Sequence, residues 1–211
     1  MRTGDPDWLD LTIDLTIDDH AQAASFNVGA TDAYRLALSS AVPFLGAIRT
    51  APVVLLLTHP ALDALATPAD YAFHRADWPL AALHPDAPPG LGGWWKNRLA
   101  ALVELFGAQH VANSVAVTFL TPWCSEAFEA RLRLPSRPRM LALGASAAAR
   151  DALVLVLRGG DLWTEHPEIA ALPPTRRFYP RTWRTTRLDR DNLGDDAWTT
   201  VCKRIGVHAW L

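Results

Sequence analysis

Only two cysteines occur in the chain, Cys124 and Cys202, far apart and outside any C-x-x-C spacing. That is too few for a disulfide framework and the wrong spacing for a structural zinc site, which points to a reducing compartment. The seven histidines are scattered, and none forms an H-E-x-x-H pair. No window approaches the ~18 consecutive apolar residues of a membrane helix, so no membrane partner is expected. The first residues turn acidic at Asp5, without the basic start and apolar run of a secretory signal. A cytoplasmic protein is the expectation. Neither G-x-x-x-x-G-K-[ST] nor G-x-G-x-x-G is present, which argues against triphosphate and dinucleotide chemistry. The G-x-S-x-G elbow of α/β hydrolases is missing as well. No metal and no cofactor are expected.

What is present is ample core material: half of the 211 residues are hydrophobic and 20% are charged. The net charge of −2 conceals an asymmetry. From Arg131 to Arg190 there are 12 arginines, no lysine and five acids, whereas the N-terminus carries Asp5, Asp7, Asp10, Asp14, Asp18 and Asp19. An Arg-rich stretch can meet phosphates, and it can equally be a solvated face.

Hydrophobic periodicity divides the chain into residues 1–30, an acidic extension or edge hairpin, and 31–211, a single α/β domain. Leu9, Leu11, Ile13, Leu15 and Ile17 alternate with acidic and polar residues, a strand pattern. Asp32 to Ser40 reads as helical. Pro52 to Leu57, Val111 to Leu120 and Leu153 to Leu157 read as buried strands. Helices are predicted over Trp94 to Phe106 (closed by Gly107), Ser125 to Leu132, Arg137 to Arg150 (capped by Ser136), Leu162 to Ala171 and Leu193 to Ile205. The Pro- and Gly-rich segment Thr67 to Gly93 reads as an ordered loop or lid. Apolar strands alternating with helices imply a three-layer α/β sandwich, its central, mainly parallel sheet covered by helices on both faces.

In such folds ligands sit outside the carboxyl ends of the strands. Those ends are His59-Pro60, Thr121-Pro122-Trp123-Cys124 and Arg158-Gly159-Gly160. His59, with an ordinary pKa of ~6.5, is suited to general-base work or to bonding a loop backbone. Asp63, one turn on, either orients that ring or caps a helix. Cys124 is either a nucleophile paired with His59 or a buried inert thiol, and the second fits its surroundings better. Trp123 and Trp163 offer faces for a planar ligand, or simply core packing. Arg158 at a strand end must be paired or solvent-facing, and its guanidinium suits a phosphate or a leaving group.

The order of these motifs resembles an uncharacterised bacterial branch of the uracil-DNA glycosylase superfamily. The resemblance runs from Pro43-Phe44-Leu45-Gly46 and the strand ending Thr58-His59-Pro60-Ala61, through Gly93-Trp94-Trp95, Thr121-Pro122-Trp123-Cys124-Ser125 and Leu134-Pro135-Ser136, to Leu157-Arg158-Gly159-Gly160-Asp161-Leu162-Trp163. It covers about Val42 to Ile205 and implies cleavage of the N-glycosidic bond of a base flipped from DNA. By that likeness His59 and Arg158 are the catalytic candidates, at the positions that place water and steady the departing base. Pro60, Phe119, Trp123 and Trp163 would line the base pocket, while Ser136, Arg137 and Arg139 would meet the DNA backbone. His59-Pro60-Ala61 stands where the family has N-P-G, and Phe119 stands where a polar residue is usual. The resemblance therefore implies a modified base as substrate, or a protein that binds nucleic acid or a base without cleaving it. A small-molecule hydrolase using Cys124 or His59 is the remaining alternative.

Overall fold

The computed structural model describes residues 8–62, 67–182 and 185–208. Asp63, a candidate in the sequence, lies outside them. The chain opens with helix α1 (Trp8–Gly29), then strands β1 (Ala37–Ala41), β2 (Phe44–Leu45) and β3 (Val53–Leu57). Helices α2 (Pro89–Arg98), α3 (Ala100–Phe106) and α4 (Ala108–Ser114) lead to β4 (Val115–Phe119) and β5 (Trp123–Cys124). The rest is α5 (Arg137–Ala149), β6 (Leu153–Val156), α6 (Gly160–Trp163), α7 (Pro167–Ala170), β7 (Arg177–Phe178), α8 (Arg190–Leu193) and α9 (Asp195–His208).

The main sheet is mixed, in the order β2-β4-β3-β6-β7, and the protein is α/β. β4, β3, β6 and β7 run parallel, and only the short edge strand β2 is antiparallel. β3, β4 and β6 are buried at every position, which is why their sequences are continuous apolar runs rather than alternating ones. Their side chains still alternate in direction. Val53, Leu55, Leu57, Val115, Val117 and Phe119 pack with Trp95, Leu102, Val111, Val201 and Ile205 from α2, α3, α4 and α9. Val54, Leu56, Ala116, Val154 and Val156 join a separate cluster with Met140, Leu143, Ala147, Trp163 and Ile169 from α5, α6 and α7. In that second cluster Gly144 leaves the space that Trp163 fills, since a Cβ there would lie 2.7 Å from the indole. No described helix is long and apolar enough to cross a membrane.

The strand over Leu9 to Ile17 is not formed: α1 runs through it for 22 residues. The C-terminal half of this helix is alanine-containing and docked, with Ala23 buried beside Leu36, Trp123 and Leu134. A docked half propagates helix cheaply into its neighbour, overriding the alternating pattern. Asp32 to Ser40 is likewise not a helix but one 3-10 turn (Asp32–Tyr34) followed by β1. There the Asn27 amide brackets Leu36, accepting from its N–H at 2.8 Å and donating to its carbonyl at 2.9 Å, while Ala37 pairs with Cys124 of β5.

Ser125 to Leu132 forms no helix either, because long-range partners take its amides. Ser125 N–H donates to Pro60 O and Ala127 N–H to Ala33 O. The helix expected over Trp94 to Phe106 starts earlier, at Pro89, and breaks at Leu99 before ending at Gly107 (φ +79°) as expected. Val111 to Ser114 belongs to α4 rather than to a strand. The C-terminal segments split at Pro167 and at Gly194 (φ +84°). Arg137 to Ala149 and Leu153 to Val156 form as expected.

Candidate functional site

The chain leaves β3 through α2–α4 to reach β4 on one side, and leaves β6 through α6 and α7 to reach β7 on the other. β3 and β6 are neighbours, so the connections from their carboxyl ends diverge. That divergence opens a crevice, the place where parallel sheets hold ligands. A cleft of about 420 Å³ occupies it. Its walls are Leu57, Thr58, His59 and Ala61 after β3, and Arg158 and Gly159 after β6. Trp94 and Arg98 of α2, Thr186, and Glu126, Ala127 and Phe128 of the loop before α5 complete it. Gly159 adopts φ +71°, where a Cβ would press on Thr58 and Leu120 at 3.0 Å. This left-handed turn lets the Arg158 segment close against the end of β3.

His59 is half-buried, its ring stacked on Phe128 with centroids 5.7 Å apart and planes 18° from parallel. Thr58 Oγ1 lies 3.0 Å from Nδ1, and Nε2 has no hydrogen-bond partner of ordinary geometry among the described residues. Burial lowers the pKa from 6.5 to about 4; the Arg158 charge pushes the same way, and the backbone at Ser125 and Glu126 opposes both. The imidazole is therefore neutral at pH 7.

A consequence for stability follows from linkage. Between pH 6.5 and about 4 the unfolded chain carries a proton on His59 that the folded chain lacks. Stability from this group is complete above pH 6.5 and is lost as pH falls towards 4. The expected loss is about 2–3 kcal/mol. Urea midpoints for the wild type and His59→Gln at pH 7, 6, 5 and 4.5 check this; parallel curves for the two proteins would contradict it.

Arg158 is half-buried, and burial pulls its pKa below the ordinary arginine value without discharging it. Its backbone N–H donates to Leu56 O at 3.3 Å, while its guanidinium has no hydrogen bond or ion pair among the described residues, unlike most of the Arg-rich half. Arg150 donates to Ala51 O and Ile48 O, and Arg176 to Ala148 O and Ala152 O. Arg177 holds the carbonyls of Ile169 and Ala170, Arg137 and Arg133 share Glu165, and Arg190 pairs with Asp195. Arg187 bonds Asn97 at 3.0 Å. Most of these guanidiniums pin backbone or carboxylates in place rather than forming an open basic groove.

The other expected site residues lie elsewhere. Phe119 and Trp163 are core residues, 2% and 0% exposed, in the two main clusters. Pro60 is buried beside His59, and its carbonyl accepts from Ser125 N–H. Trp123, with no exposed surface, donates its Nε1–H to Asp19 Oδ2 at 2.8 Å. Ser136 donates to the same carboxylate, through N–H at 2.8 Å and Oγ at 2.6 Å, instead of capping α5 with its side chain. Arg137 is buried against Glu165, whereas Arg139 is exposed on α5. Cys124 is a core residue whose thiol burial pushes up to about 12, and it does not line the cleft.

Trp94, named only within the Gly93-Trp94-Trp95 motif, and Arg98, Phe128 and Thr186 were not among the site residues expected from the sequence. One signal was there: Trp94 and Arg98 are four residues apart on one helix, and the guanidinium sits 3.2 Å from the indole centroid. Arg98 also donates to Thr186 Oγ1 at 2.7 Å, across 88 residues of sequence, which no local pattern reveals. Among the described residues no three His, Cys, Asp or Glu side chains converge as metal ligands would. No family model, curated protein or solved structure matches the chain.

Proposed function

We propose that the cleft between β3 and β6 receives a nucleobase flipped from DNA and that the protein hydrolyses its N-glycosidic bond. The observation that carries this reading is the pairing, in one cleft, of a neutral histidine with an arginine that has no counter-ion among the described residues. Hydrolysis of this bond needs a group to take the proton of an attacking water and a cation to stabilise the negative charge that develops on the base as it leaves with the C–N electron pair. In the tautomer whose Nδ1–H donates to Thr58 Oγ1, His59 Nε2 carries the lone pair for the first need, and because that atom is buried a turn of the ring must bring it to the water. Arg158 serves the second, and its charge also keeps His59 unprotonated. Water adds to the anomeric carbon as the C–N bond breaks, and its proton passes to His59. Trp94 and Phe128 supply aromatic walls for a planar ring.

The two separate side-chain clusters on alternate residues of β3 support a three-layer sandwich as the full architecture, and the two free cysteines accord with a cytoplasmic protein. A second reading is binding without cleavage. It is favoured by the low basicity of His59 and by the engagement of Trp123 and Ser136 with Asp19, away from the cleft. Incubation with duplexes carrying uracil and other altered bases, followed by alkali, separates the two. Strand breaks at the altered base are expected. If no duplex breaks while His59→Ala still binds DNA, the second reading holds.

A further inference from the structure

β3, β6 and β7 are neighbouring parallel strands, so their carboxyl ends lie on one edge of the sheet. His59 and Arg158 come just after the first two, and Tyr179 directly follows the third. The pairing of Leu155 with Phe178 sets Tyr179 level with Val156, two residues before Arg158. Its ring lies against Gly160, where a Cβ would be 3.3 Å from Tyr179 Cε1. Gly160 adjoins Gly159, which with Arg158 forms the cleft wall, so the ring stands at the rim of the cleft. Tyr179 is 44% exposed, and the other exposed tyrosine, Tyr34, belongs to the turn before β1. An aromatic ring left open beside a ligand cleft offers its face to a planar group.

The cations around this rim are engaged. Arg177, two residues before Tyr179, lies 5.7 Å from the ring centroid and donates to the carbonyls of Ile169 and Ala170. Arg181 donates to Asp191 O at 3.5 Å, with the Asp195 carboxylate nearby. Asp161, exposed beside Gly160, adds a negative charge. Duplex DNA would meet few ready phosphate contacts here, although such contacts supply much of the affinity for it. Drawing a base out of a duplex also sacrifices pairing and stacking, and a strand that is already single avoids most of that cost. Stacking needs no cation, and one base laid on an aromatic ring tightens binding about tenfold.

We propose that Tyr179 is the stacking platform for the base next to the one held in the cleft, and that the protein takes this pair of nucleotides from single-stranded DNA. Stacking tolerates any sequence because every base has a π-face, so the platform holds the strand while the cleft selects the base. The inference rests on the cleft being a base-binding site, and it names the form of DNA that fills it.

Fluorescence anisotropy of the full-length protein with a labelled oligothymidine of about 12 nucleotides, single or annealed to its complement, tests it. The single strand is expected to bind about tenfold more tightly than the duplex. Its affinity should fall by no more than about tenfold between roughly 50 and 200 mM salt, as for one or two phosphate contacts. Tyr179→Ala, checked by near-ultraviolet circular dichroism for an intact fold, should weaken the single strand about tenfold and leave the duplex unchanged. Tyr179→Phe keeps the ring and should stay within about threefold of the wild type. Binding of neither form, a duplex bound as tightly as the single strand, or an equal effect of Tyr179→Ala on both would overturn the proposal. Binding to oligothymidine involves no cleavage, so the two ideas fail separately. A Tyr179-dependent strand preference without cleavage of any altered base sinks the hydrolysis reading alone. Cleavage of an altered base with no such preference sinks the platform alone.

Discussion

Asp19→Ala should destabilise the protein by about 3–5 kcal/mol, enough to lower Tm by about 10 °C in a chain of this size. Asp19 is wholly buried, and its carboxylate is the single acceptor for three donors: Trp123 Nε1, Ser136 N–H and Ser136 Oγ, at 2.6–2.8 Å. Alanine would leave all three unpaired, and each orphaned donor costs about 1–3 kcal/mol. The acid also sits at the head of the 13-residue α5, where the helix dipole favours negative charge. Asp19→Asn keeps an acceptor oxygen but loses the charge, so its loss should be about half as large. Thermal and urea unfolding followed by tryptophan fluorescence measure both. A loss below about 1 kcal/mol for the alanine variant would contradict this account of the Asp19 carboxylate.

This contact gives the acidic N-terminus a definite role. Asp19 is a buried structural acceptor, reached because α1 carries it past β1 to the start of α5. Sequence pattern pointed the other way, towards an edge hairpin, since Leu9 to Ile17 alternate and alternation is the mark of a half-buried strand. The decisive features were distant: Ala23 packs with Trp123 and Leu134, 100 and 111 positions away, and such contacts leave no local trace.

The strand ends, by contrast, were legible. β3 and β6 are short apolar runs stopped by His59-Pro60 and Gly159-Gly160, and breakers of that kind mark carboxyl ends independently of tertiary context. His59 and Arg158, which follow those two strands, both line one cleft. Trp123, Trp163 and Phe119 stood at equally suggestive positions, yet all three are buried away from it. A tryptophan beside a strand end has the same sequence signature whether its ring faces a ligand or a core. Arginine density misled in a similar way. A count of guanidiniums says nothing of the carbonyls of Ala51, Ala148 and Ile169 that several of them hold. Phe128 and Thr186 reach the cleft through loops whose course is set by contacts such as Ala127 N–H to Ala33 O and Leu188 N–H to Arg98 O.

The central claim is that His59 and Arg158 act together on one ligand in the cleft. Single-turnover cleavage of whichever altered-base duplex the wild type cuts, compared across His59→Gln, Arg158→Gln and the core variant Cys124→Ala, tests it most directly. His59→Gln and Arg158→Gln should each slow cleavage about 100-fold or more, and Cys124→Ala should cut at close to the wild-type rate. Wild-type rates in both cleft variants, or no cut duplex at all, would contradict the account.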